Sequence, residues 1–136
     1  MLKETITYKD YNDLERTEDF YFNLNKAELL EMQATTAGGL LEMLRRIVAT
    51  NDMPAIFKTF KDIILKSFGV KSPDGKYFNK IDPVDGHRYA DEFVQTEAYS
   101  VLLEKLLDAK YSAKFIKGII PAELSKDIPD EAPKLN

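Results

Sequence analysis

The chain has 136 residues, of which 44% are apolar, a length and composition that predict one folded domain rather than a disordered chain. It contains no cysteine, which excludes disulfides, thiolate nucleophiles and thiolate metal sites and is compatible with a reducing compartment. A formal net charge of −4 argues against broad nucleic-acid binding. The N-terminus lacks signal-peptide character and no apolar run has the length of a membrane span, so neither feature is expected.

Charge is distributed unevenly along the chain. Between Lys58 and Lys80 six lysines stand against two aspartates, a local excess of four positive charges, so the rest of the chain carries −8. A solvated helix face and loop is the ordinary interpretation of such a run, and a basic surface for an acidic protein partner is the functional alternative. Nucleic acid ranks last, because no aromatic interleaving or arginine-rich stretch accompanies the lysines.

The N-terminal residues 2–24 predict a β-hairpin. Residues 2–8 and 16–24 alternate with the period of strands, and the Asp and Asn residues between them are turn formers. Phe20, Phe22 and Leu24 share one face of the second strand, which predicts that this face is buried. A lone hairpin is marginal in water, so it must lie on helices or pair with another chain.

A helix start follows the hairpin directly. Asn25 and Glu28 have the spacing of a capping box, and Leu24 and Leu29 that of a hydrophobic staple, which predicts a helix over residues 26–33. Apolar spacing then predicts a helix at about residues 40–49. It predicts a further helix that begins at a cap at Asn51 or Asp52 and ends at Gly69, and three more at 88–94, 97–109 and 112–120. Residues 72–75 and 82–86 are turn signals, and 76–81 is a short extended piece.

These elements predict an α+β fold that is mostly helical, with the N-terminal β-hairpin packed on a bundle of five or six helices. One domain covers residues 1–120, divided into the hairpin (2–24) and a helical part (25–120). Residues 121–136 contain three prolines and carry a net charge of −2. Their low apolar content predicts a flexible acidic tail.

No catalytic, cofactor-binding or metal site is predicted. Carboxylates at 82, 85 and 91 and the sole histidine, His87, could be assembled into a divalent metal site, but no recognised ligand spacing is present. A surface-loop histidine is the preferred interpretation. Gly38-Gly39 lacks the Lys-Ser/Thr and preceding strand of a phosphate loop, and no nucleophile motif accompanies His87.

The predicted later helices carry wide apolar stripes, which no catalytic or metal site explains. Core packing explains most of them. The alternative is that part of residues 101–120 covers an apolar segment of a partner, as a groove for a helix would. The candidate partner-binding residues are Leu102, Leu106, Phe115 and Ile119.

Six segments carry a family resemblance, in order along most of residues 15–121. They are ERTEDFYFNL (15–24), AEL (27–29), IILK (63–66), KSPDGK (71–76), FVQTEAYS (93–100) and AKFIKGIIP (113–121). In these segments the chain resembles the small tail assembly chaperones of long-tailed (siphovirus-type) phages and prophages of Gram-positive bacteria. Residues 79–89 fit the pattern less well, and no functional residue is carried onto them.

The resemblance implies a non-enzymatic role during virion assembly in the host cytoplasm. Such chaperones coat the tape measure protein, help tail-tube subunits polymerise around it, and are generally absent from the finished particle. The implied partners are therefore the tape measure protein and the major tail protein, together with self-association, and neither nucleic acid nor a membrane. Two other functions stay open: a virion structural protein of the tail or connector, and a small phage protein that inhibits a host enzyme.

Overall fold

The computed structural model describes residues 1–35, 39, 42 and 53–122, and its fold class is α+β, as the sequence predicts. The strands are β1 (Leu2–Lys9), β2 (Glu15–Phe22), β3 (Phe68–Lys71) and β4 (Phe78–Asn79). They form one antiparallel sheet in the order β1-β2-β3-β4. The helices within the described residues are α1 (Lys26–Thr35), α2 (Met53–Ser67), α3 (Tyr89–Phe93), α4 (Glu97–Lys105) and α5 (Ala109–Ile119). Apart from residue 42, the helix predicted at 40–49 lies outside the described residues, as do the caps at 51 and 52 and tail residues 123–136.

The predicted hairpin is confirmed. Its two strands pair in register from Leu2 opposite Phe22 to Lys9 opposite Glu15. The loop between them closes through backbone hydrogen bonds and through Asp13, which has a φ of 62° in the left-handed region that Asp tolerates. Phe22 is fully buried and Tyr21 is not, so the predicted face assignment of β2 is also confirmed.

The inner face of the sheet packs on an aromatic cluster that draws on distant parts of the chain. The ring of Phe22 lies edge-on to Phe115 of α5 and Phe93 of α3, with centroids 5.2 and 5.7 Å away. Phe68 of β3 stacks on Phe93 at 4.7 Å, and Phe20 meets the same ring edge-on at 5.0 Å. Aromatic pairs prefer such edge-on and offset geometries, which add about 0.5–1.5 kcal/mol each beyond the area that they bury.

The capping box at the start of α1 is confirmed as well. The Glu28 amide donates to Asn25 Oδ1 at 2.8 Å, and the Asn25 amide donates to Glu28 Oε1 at 2.9 Å. Both orphan amide groups are therefore satisfied, as the motif requires. Leu24 is buried in the apolar core and Leu29 packs against the core from its margin, consistent with the predicted staple.

The predicted end of the third helix at Gly69 is wrong. Helix α2 ends at Ser67, and Phe68 and Gly69 continue as β3, opposite Phe22 and Tyr21 of β2. A Cβ atom at Gly69 would lie 2.7 Å from Phe78 Cε2 and 2.8 Å from the Asn79 carbonyl oxygen, so the position has no room for a side chain. Gly69 thus serves a close approach between strands rather than a helix cap.

Two helix boundaries near the C-terminus also differ from the prediction. Helix α4 ends at Lys105 instead of residue 109, and α5 begins at Ala109 instead of residue 112. The reason is the N-cap at Asp108, whose Oδ1 accepts from the amides of Lys110 and Tyr111 at 2.8 and 3.1 Å. An aspartate cap of this kind starts a new helix and separates it from the preceding one.

Candidate functional site

The four predicted partner-binding side chains come together inside the protein. Leu102 of α4, Leu106 at the C-cap of that helix, and Phe115 and Ile119 of α5 all belong to the apolar core, and none is more than 2% exposed. Each pair is four residues apart, the spacing of one helix face. As folded, these side chains are covered by the protein itself, and partner binding through them stays a prediction.

The junction of α4 and α5 is fixed by polar contacts as well as by packing. The hydroxyl of Ser112 is buried and donates to the carbonyl oxygen of Leu106. At the other end of α5, the Leu24 amide donates to the Ile119 carbonyl oxygen at 2.6 Å. The helix is therefore tied both to its predecessor and to the end of the hairpin.

A polar centre forms around Lys80, just after β4. Its Nζ donates to Glu28 Oε2 at 2.8 Å, to the Asn23 carbonyl oxygen at 3.0 Å and to the Lys66 carbonyl oxygen at 2.5 Å. The ammonium group thus joins the end of β2, the capping box of α1 and the end of α2. Only 23% of the Lys80 side chain is exposed, so this lysine of the basic run has an internal structural role.

The loop that carries His87 is built on aspartate side chains. Asp82 Oδ1 accepts from the Val84 amide at 2.7 Å, and Asp85 Oδ1 accepts from the His87 amide at 2.9 Å. Gly86 has a φ of 77° and its amide donates to the Asp82 carbonyl oxygen at 2.9 Å, which closes the predicted turn. These carboxylates therefore organise the loop backbone.

The imidazole of His87 lies between two carboxylates. Its Nδ1 is 2.5 Å from Asp85 Oδ1, and its Nε2 is 3.3 Å from Glu92 Oε1, an ion-pair distance without hydrogen-bond alignment. The hydrogen bond to Asp85 is the main reason that the pKa of His87 is raised above its ordinary value. The hydrogen bond from the His87 amide is the main reason that the pKa of Asp85 is lowered, and the hydrogen bond with the imidazole lowers it further.

Three of the four residues considered for a metal do meet in this loop. Ligand atoms of Asp82, Asp85 and His87 lie within 4.8 Å of one another. The fourth, Asp91, instead pairs with Arg88 at 2.9 Å. The Oδ1 atoms of Asp82 and Asp85 accept the loop's own amides, so the turn itself brings these groups together, and His87 is a partly exposed loop residue.

The loop between β1 and β2 presents apolar side chains to solvent. Tyr11 is 74% exposed and Leu14 is 62% exposed. The loop backbone is nevertheless held firmly, because Asp10 Oδ1 accepts from the amides of Asn12 and Leu14 at 2.8 and 3.0 Å. Arg16 Nε adds a hydrogen bond to Asp10 Oδ2 at 2.7 Å.

A cavity of about 210 Å³ separates this loop from the start of α4. We call it the hairpin-tip cavity, and it is lined by Tyr8, Asp10, Tyr11, Arg16, Thr96 and Glu97. The Tyr11 hydroxyl donates to the Gln95 carbonyl oxygen at 2.9 Å and so ties the loop to the chain before α4. The Tyr8 hydroxyl donates to Glu18, and burial is the main reason that the pKa of Tyr8 is raised to about 12.

Two carboxylates line the hairpin-tip cavity, Asp10 and Glu97, and a third, Glu18, accepts from the hydroxyl of the lining Tyr8. Arg16 is held between Asp10 at 2.7 Å and Glu18 at 3.6 Å, so its charge is compensated. Within the part of the chain that the structure describes, Glu97 has neither an ion pair nor a side-chain hydrogen bond.

Sequence reasoning missed both the Lys80 centre and the hairpin-tip cavity. The partners of Lys80 lie up to 57 residues away along the chain, and no local sequence pattern indicates them. For the cavity, the available signal was two apolar side chains, Tyr11 and Leu14, inside a turn that is otherwise polar. The contribution of Glu97 comes from more than eighty residues further along and could not be inferred.

Within the described ranges, no helix is long and apolar enough to cross a membrane.

The sequence model of a family described as phage tail assembly chaperone matches residues 1–136, the whole chain. No curated protein and no solved structure matches the chain at a significant level. The chain therefore belongs to the phage tail assembly chaperone family.

Proposed function

We propose that the protein binds the tape measure protein during virion assembly and assists polymerisation of the major tail protein around it. It acts in the host cytoplasm as a non-enzymatic chaperone of a long-tailed phage or prophage of a Gram-positive bacterium. The observation that carries the proposal is the family match over residues 1–136. The resemblance of six ordered segments to chaperones of that phage type supports the narrower assignment.

The exposed apolar side chains of the folded domain support a binding role. Tyr11, Leu14, Leu30, Ile81 and Val84 are all more than half exposed, and all but Leu30 lie outside the helices and strands. Single exposed apolar residues are ordinary, but a chaperone for an aggregation-prone partner needs apolar contact area on its surface. These positions supply such area without opening the core.

Binding through the core face of α4 and α5 is part of the same proposal. Leu102, Leu106, Phe115 and Ile119 could meet a partner only if the last two helices separated from the sheet, since the side chains are buried in the folded chain. Local openings of this kind occur in native proteins at a free-energy cost below that of global unfolding. Surface contacts and core contacts therefore make different predictions for substitutions, which are given below.

Co-expression tests the proposed function directly. The tape measure protein encoded by the same phage genome should be mostly insoluble when made alone and gain soluble yield when this protein is made with it. A control protein of similar size and charge should have no such effect. If the wild-type protein leaves the solubility of the tape measure protein unchanged, the proposal is wrong.

Analysis of purified virions separates the proposal from the structural-protein alternative. A chaperone is expected to be absent from finished particles, whereas a tail or connector component is retained at a fixed copy number. Stoichiometric retention in virions would therefore contradict the chaperone mechanism while leaving a role in tail assembly in place.

A further inference from the structure

The size of the hairpin-tip cavity suits a side chain rather than a cofactor. Its volume of about 210 Å³ lies below the roughly 300–1,000 Å³ of small-molecule sites. The cavity also opens at the surface at Tyr11, and Leu14 is exposed in the same loop, three residues further along the chain. A ligand in it would therefore belong to a larger partner that also covers these two side chains.

The walls of the cavity favour a cation. Two phenol rings, those of Tyr8 and Tyr11, and the carboxylate of Glu97 are among its lining groups, while Arg16 is already neutralised by Asp10 and Glu18. A lysine or arginine head group interacts favourably with both aromatic faces and carboxylates. The first turn of α4 contributes a partial positive charge, which Glu97 offsets.

The charges at the cavity select the same kind of partner. Asp10, Glu18 and Glu97 stand against Arg16, a net charge of −2, and the Tyr11–Gln95 hydrogen bond joins the hairpin loop to the chain before α4. Such a field accelerates association with basic segments and disfavours acidic ones and nucleic acids. Because the loop is fixed by Asp10, binding loses little conformational entropy.

We propose that the hairpin-tip surface, meaning the hairpin-tip cavity together with Leu14, binds a basic amphipathic segment of a partner protein. A lysine or arginine side chain of that segment enters the cavity, and its apolar residues contact Tyr11 and Leu14. This rests on the proposed function, and it names the chemistry of the segment that the chaperone recognises.

The test uses two synthetic amphipathic peptides that share one leucine pattern and differ in having lysine or glutamate at the polar positions. Titrated into the full-length protein labelled with ¹⁵N, the lysine peptide should shift the amide signals of Tyr11, Leu14 and Glu97. The glutamate peptide should not shift them. Equal binding of both peptides, strongest shifts on α2, or no binding of the lysine peptide would each overturn the inference.

Variants with matched controls sharpen the result. The double substitution Tyr11→Ser and Leu14→Ser should weaken binding of the lysine peptide by about tenfold, because it removes the exposed apolar contacts. Leu30→Ser removes a leucine of similar exposure (69%) on α1 and should leave binding unchanged. Glu97→Gln should weaken binding and reduce its salt dependence, whereas Glu104→Gln at the other end of α4 should not. Unchanged binding in both test variants would contradict the inference.

Failure of this inference is distinguishable from failure of the proposed function. If the Tyr11→Ser, Leu14→Ser protein solubilises the tape measure protein as well as the wild type does, and no peptide binds at the hairpin tip, only the inference is wrong. If wild-type protein fails to solubilise the tape measure protein, the proposed function is wrong, whatever the peptides show.

Discussion

On the inner face of the hairpin, the rings of Phe20 and Phe22 lie against aromatic side chains from β3, α3 and α5. On its outer face, polar pairs cross between the same two strands: Thr5 Oγ1 donates to Asp19 Oδ1 at 2.6 Å, and the hydroxyls of Thr7 and Thr17 lie 2.9 Å apart. The inner contacts join distant parts of the chain, whereas these outer hydrogen bonds join only the two neighbouring strands of the hairpin. Stability of the whole domain should therefore depend on the inner face and very little on the outer one.

The largest effect should come from Phe22→Asp on the inner face. The substitution buries an unpaired carboxylate where a fully buried ring meets Phe115 and Phe93, so the free energy of unfolding should fall by more than about 4 kcal/mol. Chemical denaturation measures this, with Tyr21→Thr on the outer face as the control, expected to cost less than about 1 kcal/mol. Similar stability of the two variants would contradict the face assignment.

Serine substitutions at Leu102, Leu106, Phe115 and Ile119 should come next. Each removes a side chain that is at most 2% exposed, and large-to-small changes in a core cost about 2–5 kcal/mol. Thermal unfolding and binding of the tape measure protein should be measured together. Loss of the fold indicates that the residue is needed for the core, whereas an intact fold with lost binding supports the partner-binding prediction.

The Lys80→Met substitution should have an intermediate effect. It removes the cation that satisfies Glu28 and the carbonyl oxygens of Asn23 and Lys66, and acceptors left without a donor cost about 1–3 kcal/mol. The exposed Lys76 provides a matched control, since Lys76→Met should change the free energy of unfolding by less than about 0.5 kcal/mol. A neutral Lys80→Met variant would show that the centre does not stabilise the fold.

The smallest effect concerns His87 on the surface. Because Asp85 raises its pKa in the folded state above 6.5, the associated stabilisation is complete below the unfolded pKa and is lost as pH rises through the folded pKa. An NMR titration of the imidazole should give a pKa above 6.5 for the wild type and a lower value for Asp85→Asn. Identical titration curves would mean that the two side chains do not interact in solution.

The elements that the sequence predicted correctly are those with local causes. The capping box at Asn25 and Glu28, the alternation of β2 and the two glycine turns each depend on residues a few positions apart. Strand β3 was assigned to a helix because Phe68 continues the apolar stripe of α2 and Gly69 resembles a helix terminator. Its true partners are Phe22 and Tyr21, more than forty residues earlier, and only tertiary pairing decides the choice.

The candidate site shows the same division between features with local causes and features that depend on tertiary contacts. Sequence alone indicated a lysine-rich segment between residues 58 and 80 and a surface-loop histidine, because charged and turn residues can be read from the sequence directly. It gave no means of deciding whether Leu102 and Phe115 face the core or a partner, since both roles use the same helical spacing. The cavity beside Tyr11 was equally hidden, because Glu97 reaches it only after the chain has folded back.

The hydrogen bond from the Leu24 amide to the Ile119 carbonyl oxygen has a consequence for synthesis on the ribosome. The hairpin emerges first, but the rings that cover Phe22 arrive later, with Phe68, Phe93 and finally Phe115. A nascent chain that ends before α5 leaves this inner face exposed to water and to other chains. Productive folding must therefore wait until translation has passed residue 119, and the domain is made as a unit rather than element by element.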